Sequence, residues 1–96
     1  MLFHQAEKIL NKHKKDLCRL GVRTLAVFGS VARNEGSAKS DLDVLVDFDS
    51  KKGLFAFVDV KHYLEKLLGC EVDLVTINAL HPALKQRILK EAKQVF

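Results

Sequence analysis

Two stretches of this 96-residue chain decide its fold: TLAVFGSVAR at residues 24–33 and SDLDVLVDF at residues 40–48. The first is an apolar run that ends in the turn Gly29-Ser30, and the second alternates apolar and acidic residues with a period of two. An apolar run closed by glycine and a period of two are both typical of β-strands. They predict two strands, at 24–28 and 41–47, that carry a Gly-Ser turn and a pair of carboxylates.

The remaining periodicities predict helices around these strands. Apolar residues that recur at three- and four-residue steps favour helices, and a third apolar run favours a strand. The predicted helices are 2–20, 31–34, 54–68 and 82–96, the third strand is 71–77, and 36–40 is a loop. The expectation is one α/β (α+β) domain over residues 1–96, with a small mixed sheet of about three strands and the order α-β-α-β-α-β-α. The pattern alone does not assign parallel or antiparallel pairing.

Composition narrows the class of protein. A net charge of +4 and a pI near 9.2 suit a polyanionic ligand such as a nucleoside triphosphate, or an acidic partner. No apolar run reaches the ~18 residues of a membrane span, and the N-terminus lacks the layout of a signal peptide, so we expect a cytoplasmic protein. Cys18 and Cys70 lie among apolar residues, which favours reduced core thiols over a zinc site.

Asp41 and Asp43 are the first candidate ligands. Residues i and i+2 of a strand share a face, so the two carboxylates project together at a Cα separation of about 6.5 Å. Their repulsion is relieved by a hard divalent ion, Mg²⁺ above all, and such a pair can bridge two metals in a phosphoryl displacement. The alternative is a pair of solvated acids on an edge strand.

The turn at Gly29-Ser30 follows an apolar strand and precedes a short predicted helix. Glycine lets the backbone approach a ligand, and a helix N-terminus suits a phosphate. Ser30 can bond the same phosphate or act as a plain N-cap. Arg33, near one turn further on, can reach it with a fork of donors or stay an exposed arginine. The turn is neither a Walker A loop nor a nucleophile elbow.

Asp73 is the third candidate, standing alone in the run Val72-Asp73-Leu74-Val75. An acid among apolar residues is costly unless it is paired, hydrated or bound to a cation. If the third strand lies beside the second, Asp73 can join the other two carboxylates as a metal ligand, or accept a proton from an attacking hydroxyl. On an edge strand it would face solvent instead.

The joined motif, FGSVAR at 28–33 followed by SDLDVLV at 40–46, resembles the signature of the DNA polymerase beta-like nucleotidyltransferases. In particular it is similar to the minimal nucleotidyltransferases, the antitoxins of HEPN–MNT toxin–antitoxin pairs, over essentially the whole chain. The resemblance implies metal, phosphate and basic positions on matching residues. It assigns two Mg²⁺ ions to Asp41 and Asp43, a third carboxylate to Asp73, the β- and γ-phosphates of ATP to Gly29 and Ser30, and a basic role to Arg33.

The activity implied by the resemblance is transfer of AMP from ATP to a tyrosine hydroxyl of a partner HEPN ribonuclease toxin, which would silence the toxin. Two alternatives stay open. The chain could be a non-catalytic module that masks the toxin by contact, or it could transfer a nucleotide to a small molecule or nucleic acid. Nucleic acid is the less expected substrate, because related larger enzymes carry further domains for such acceptors.

Overall fold

The computed structural model describes residues 2–35 and 41–96. Within them the chain forms, in order, α1 (Phe3–Lys12), α2 (Lys14–Arg19), β1 (Val22–Phe28), α3 (Gly29–Ala32), β2 (Leu42–Phe48), α4 (Gly53–Leu68), β3 (Val72–Thr76), α5 (Pro82–Glu91) and β4 (Lys93–Gln94). Single 3₁₀ turns at Ser50–Lys52 and Ile77–Ala79 precede α4 and α5. The predicted loop at 36–40 lies outside the described residues.

The strands form one mixed sheet in the order β3-β2-β1-β4. β1 runs antiparallel to β2 and to β4, while β2 and β3 are parallel because α4 carries the chain back across the sheet. This arrangement confirms the predicted mixed sheet with flanking helices and adds a short fourth strand to the three that were expected.

The predicted last helix is too long. It ends at Glu91, and Lys93 and Gln94 pair with Val27 and Ala26 of β1. The backbone N–H of Leu25 also donates to the carbonyl of Phe96 at 3.0 Å. The tail completes the free edge of β1, and those ladder hydrogen bonds override the helical spacing of its apolar residues.

The predicted first helix is interrupted. His13 has φ −106° and ψ 17°, and it separates α1 from α2. Its ring nitrogen Nδ1 lies 3.4 Å from the hydroxyl of Tyr63 on α4, which also donates to Asp16 at 3.2 Å. Cys18 on α2 is exposed and Cys70 is half-buried, so the expectation of two core thiols is wrong for Cys18.

The two faces of the sheet differ sharply. On one face the strand residues are buried against α1, α2 and α4, whose own buried residues include Leu10, Leu17 and Leu64. The opposite face, the open face, carries Asp43. It is partly covered, near β1 and β2, by α5, where Leu89, Ala26 and Leu45 line a small hollow. No helix in the described part of the chain has the length and apolarity needed to cross a bilayer.

Candidate active site

Asp43 and Asp73 are neighbours across the parallel strands β2 and β3. They are Cα partners in the register, and partners on adjacent strands point to the same face at a backbone spacing of about 4.8 Å. Asp41 lies just before β2 and is exposed, two residues from Asp43 and therefore on the same side. The structure thus places all three predicted carboxylates at one edge of the open face.

Gly29 leaves the space that the carboxylate of Asp43 occupies. Phe28 is the register partner of Asp43 across β1 and β2, so the chain turns directly beside that side chain. Gly29 has φ +72°, and a Cβ there would collide with Oδ2 of Asp43 and lie 3.0 Å from its Cγ. Only glycine accommodates both this backbone conformation and this close approach, so the turn and the Asp-x-Asp strand form one unit.

Asp43 sits in an unfavourable electrostatic environment. Burial raises the pKa of its carboxyl, and the negative charges of Asp73, Asp41 and Glu91 raise it further, while Arg33 lowers it. A carboxylate that is partly desolvated among like charges gains from a bound cation. The chemistry of the site therefore fits a hard divalent ion with oxygen ligands.

Asp41 and Asp73 line a polar hollow of about 340 Å³ at the outer edge of β3, together with Lys61, Glu65 and Glu71. Within residues 2–35 and 41–96, no group of three or more His, Cys, Asp or Glu side chains is gathered tightly enough to hold a metal ion. The fold thus brings the three aspartates to one place, and their oxygens do not converge on one point. Lys61 is a basic neighbour that the sequence reasoning missed, since it lies in the regular pattern of α4.

Ser30 lies inside α3 and is half-buried. The N-cap of this short helix is Phe28, so the alternative role of Ser30 as a plain N-cap is wrong. The backbone carbonyl of Ser30 accepts a hydrogen bond from the N–H of Glu35 at 2.8 Å, which holds the end of the turn in place. Ser30 directly follows Gly29, the residue that adjoins the carboxylate of Asp43.

Arg33 follows α3 and forms two ion pairs. Its Nε donates to Oε2 of Glu35 at 2.8 Å, and its Nη1 donates to Oε1 of Glu91 at the end of α5. The hydrogen bond to Glu35 is the largest cause that raises the pKa of the guanidinium. The sequence singled out Arg33 and missed Glu91, which is 58 residues away and gives no local signal.

An apolar cavity of about 400 Å³ lies elsewhere on the molecule, lined by residues such as Phe48, Leu54, Phe57 and Leu74. The cavity reaches from Phe48 at the far end of β2 to Leu74, which follows Asp73 in β3. Among the described residues it shares no lining residue with the polar hollow at Asp41 and Asp73.

Comparisons with known proteins identify the family of this chain. The family model described as the nucleotidyltransferase domain matches residues 10–95. Protein adenylyltransferase MntA of Thermococcus cleftensis is 42% identical over 96 residues, which cover 99% of this chain and 97% of that protein. A solved structure described as a minimal nucleotidyltransferase is 37% identical, with a TM-score of 0.77 and coverage of 97% of this chain and 95% of that one.

A more distant structure shares the fold. It is a chain of the complex between the tri-AMPylated HEPN toxin of Shewanella oneidensis and an MNT antitoxin, with 21% identity, a TM-score of 0.70, and coverage of 99% of this chain and 72% of that chain. The match of the family model to nearly the whole chain and the identity to MntA decide the family. The chain belongs to the nucleotidyltransferase domain family of enzymes and, within it, to the minimal nucleotidyltransferases, with protein adenylyltransferase MntA among its relatives.

Proposed function

We propose that the chain is a Mg²⁺-dependent adenylyltransferase that moves AMP from ATP to a tyrosine hydroxyl of a HEPN ribonuclease toxin. The observation that carries the proposal is the register of Asp43 beside Asp73, next to the Gly29 turn, in a chain 42% identical to a protein adenylyltransferase. Residues 1–96 would act as one nucleotidyltransferase domain. Free thiols at Cys18 and Cys70 and the need for ATP suit a cytoplasmic location.

The three carboxylates would serve as the metal ligands. Asp41 and Asp43 would hold two Mg²⁺ ions, with Asp73 as the third ligand, because all three offer oxygen donors on one edge of the sheet. Bound Mg²⁺ neutralises triphosphate charge and thereby favours departure of pyrophosphate. Burial and the neighbouring acids raise the pKa of Asp43, and a bound cation would offset both effects by stabilising the ionised carboxylate.

The turn and the arginine would hold the triphosphate. The backbone of Gly29 and the hydroxyl of Ser30 would bind the β- and γ-phosphates at the end of β1. Arg33 can add a guanidinium to the same oxygens. Positioning and charge neutralisation supply most of the rate in phosphoryl-type transfers, which suits so small a protein.

The transfer itself is an in-line displacement. The tyrosine oxygen attacks the α-phosphorus of ATP, a new P–O bond forms, and the bond between the α-phosphorus and the bridging oxygen to the β-phosphate breaks. Pyrophosphate leaves with that bridging oxygen. Asp73 would accept the proton of the tyrosine hydroxyl, so that the products are AMP-tyrosine, pyrophosphate and one proton.

The test incubates the purified protein with α-labelled ATP, Mg²⁺ and the HEPN protein encoded beside its gene. We expect label on a tyrosine of that protein, identified by mass spectrometry. Asp43→Asn should reduce the transfer rate at least about 1000-fold, since it removes roughly 4 kcal/mol of transition-state stabilisation. Asp47→Asn is the matched control, because Asp47 lies on the same strand and face and pairs with Arg23 instead; its rate should stay within about twofold.

Three other outcomes would contradict the proposal. A tight complex without label would indicate a toxin-binding module that masks its partner by contact. Label on RNA or on a small molecule in place of the protein would indicate a different acceptor class. Equal loss of transfer in Asp43→Asn and Asp47→Asn would mean that the acidic edge is not the catalytic site.

A further inference from the structure

Two carboxylates, those of Glu35 and Glu91, bind the guanidinium of Arg33. Glu35 is two residues away and its side chain is 64% exposed, while Glu91 comes from the far end of the chain and its side chain is 22% exposed. A charge-assisted bond to an arginine fork gains from a partner that is enclosed and fixed. Glu91 is therefore the more enclosed partner of Arg33 and the one that reaches it through the tertiary fold.

The fold fixes Glu91 in this position. It is the last residue of α5, and the strand β4 follows immediately and pairs with β1. The tail is further held where the N–H of Val95 donates to the carbonyl of Leu25 at 2.8 Å, and where the ammonium of Lys93 lies 5.1 Å from the ring centre of Phe3. The carboxylate of Glu91 is thus anchored on a part of the chain that cannot easily turn away.

The Arg33–Glu91 pair lies next to the Gly29 turn, because the backbone N–H of Arg33 donates to the carbonyl of Gly29 at 3.3 Å. The negative charge of Glu91 and the positive charge of Arg33 both act on Asp43, in opposite directions. A guanidinium fork that is engaged with a carboxylate does not present the same donors to a phosphate. In the structure the guanidinium of Arg33 is therefore already engaged by two carboxylates, those of Glu35 and Glu91.

We propose that Glu91 is a positioning residue. Its carboxylate binds the guanidinium of Arg33 when no nucleotide is bound, and the phosphates of the triphosphate displace it on binding. ATP binding then includes an exchange of partners, from the carboxylate of Glu91 to phosphate oxygens. After pyrophosphate is formed, Glu91 recovers Arg33 and favours release of that product. This inference rests on the proposed function, because it takes a nucleoside triphosphate as the ligand of Arg33.

The test measures binding of α,β-methylene-ATP, which cannot release pyrophosphate, by calorimetry in the presence of Mg²⁺. Glu91→Gln should tighten binding roughly two- to fivefold, the range expected for loss of one competing, partly exposed ion pair. Arg33→Gln should weaken binding. In the double variant Arg33→Gln/Glu91→Gln, the gain from Glu91→Gln should disappear, because Glu91 acts through Arg33.

Two controls separate this effect from others. Asp59→Asn removes one negative charge from an exposed position on α4, on the other side of the sheet, and should leave the Kd unchanged. Glu91→Asp keeps the charge on a shorter side chain, and its Kd should fall between those of the wild type and Glu91→Gln. Thermal unfolding of each variant monitors the fold, and a Kd that follows the loss of Tm would mean a merely structural role and overturn the inference.

The remaining results also decide the question. Unchanged or weaker binding in Glu91→Gln would overturn the inference, and so would a gain of equal size in the Arg33→Gln background. If the wild type binds the analogue but does not transfer AMP from ATP to the HEPN protein, the proposed acceptor is wrong. The Kd values of the variants then still decide the role of Glu91. If the wild type does not bind the analogue at all, both proposals are overturned together.

Discussion

The two faces of the β-sheet are built from alternating residues of the same strands, and they lie in different environments. Val44 and Val46 are fully buried under the helices, while Asp43 between Leu42 and Val44 points to the open face and meets Asp73 and Gly29. One face gains free energy by removing apolar surface from water. The other concentrates like charges at some cost to stability.

This contrast explains how 96 residues hold both a core and an acidic edge. A strand period of two lets adjacent residues belong to different environments, so Asp43 can lie at the acidic edge while Val44 packs in the core. The comparison predicts that substitutions on the covered face change stability and leave the chemistry alone. Substitutions at the acidic edge should do the reverse.

The largest expected change in stability is on the covered face. Leu64 on α4 is fully buried, and Leu64→Ala should lower the free energy of unfolding by about 3 kcal/mol, through lost burial and a cavity. Leu54→Ala is the matched control, since Leu54 is on the same helix and 73% exposed; it should change the free energy by less than about 0.5 kcal/mol. Urea unfolding measures both. AMP transfer per folded molecule should be the same in both variants, and a loss confined to Leu64→Ala would break the division between the faces.

Gly29 joins the two regions, so its substitution should affect both quantities. Gly29→Ala places a Cβ at φ +72° against the carboxylate of Asp43. We expect a loss of about 2 kcal/mol in stability and of roughly 100-fold in the transfer rate, because the carboxylate must move.

Gly69→Ala is the control for this effect. Gly69 has φ +68°, and a Cβ there would meet nothing within 4 Å. The substitution carries the same backbone strain without the collision, so it should cost about 1 kcal/mol and leave the transfer rate unchanged. Equal rates for the two variants would mean that Gly29 serves only the backbone conformation.

Much of the fold was predictable because the strands and α4 are strongly periodic. The alternation around Asp43 located β2, and the apolar run before Gly29 located β1. The end of α5 was not predictable, because Lys93 and Gln94 become a strand only by pairing with β1, a tertiary contact that no local spacing encodes. The break at His13 likewise coincides with a contact from Tyr63, 50 residues away.

The predicted site residues are close in space for a simple reason. Asp41 and Asp43 are two residues apart, so the strand period brings them to the same side. Asp73 lies beside Asp43 because β3 pairs in parallel with β2. The partners of Arg33 could not be predicted, because Glu91 reaches it only through the docking of α5 and the tail. The local sequence thus singled out the three aspartates, whereas the ion pair between Arg33 and Glu91 depends on the tertiary fold.

The smallest expected effect is the loss of folding stability caused by the ionised carboxylate of Asp43. Burial and the neighbouring acids raise its pKa in the folded state, so the folded protein binds a proton there more tightly than the unfolded chain does. The stability associated with protonated Asp43 is therefore fully present below the unfolded pKa of about 3.9, and it is lost as the pH rises through the raised folded pKa. At neutral pH the ionised carboxylate destabilises the fold.

Asp43→Asn should accordingly raise the Tm by a few degrees at neutral pH in EDTA, and this advantage over the wild type should shrink as the pH falls. Adding Mg²⁺ should reverse the order, because at about ten times its Kd a ligand stabilises the native state by about 1.4 kcal/mol, and only the wild type keeps the full ligand set. Thermal unfolding across pH, with and without Mg²⁺, measures both effects. Asp47→Asn, on the same face but paired with Arg23 at 3.6 Å, should show neither the gain nor the reversal. If Asp43→Asn is instead less stable than the wild type in EDTA, the acidic edge is not under electrostatic strain, and the contrast between the two faces would lie in burial alone.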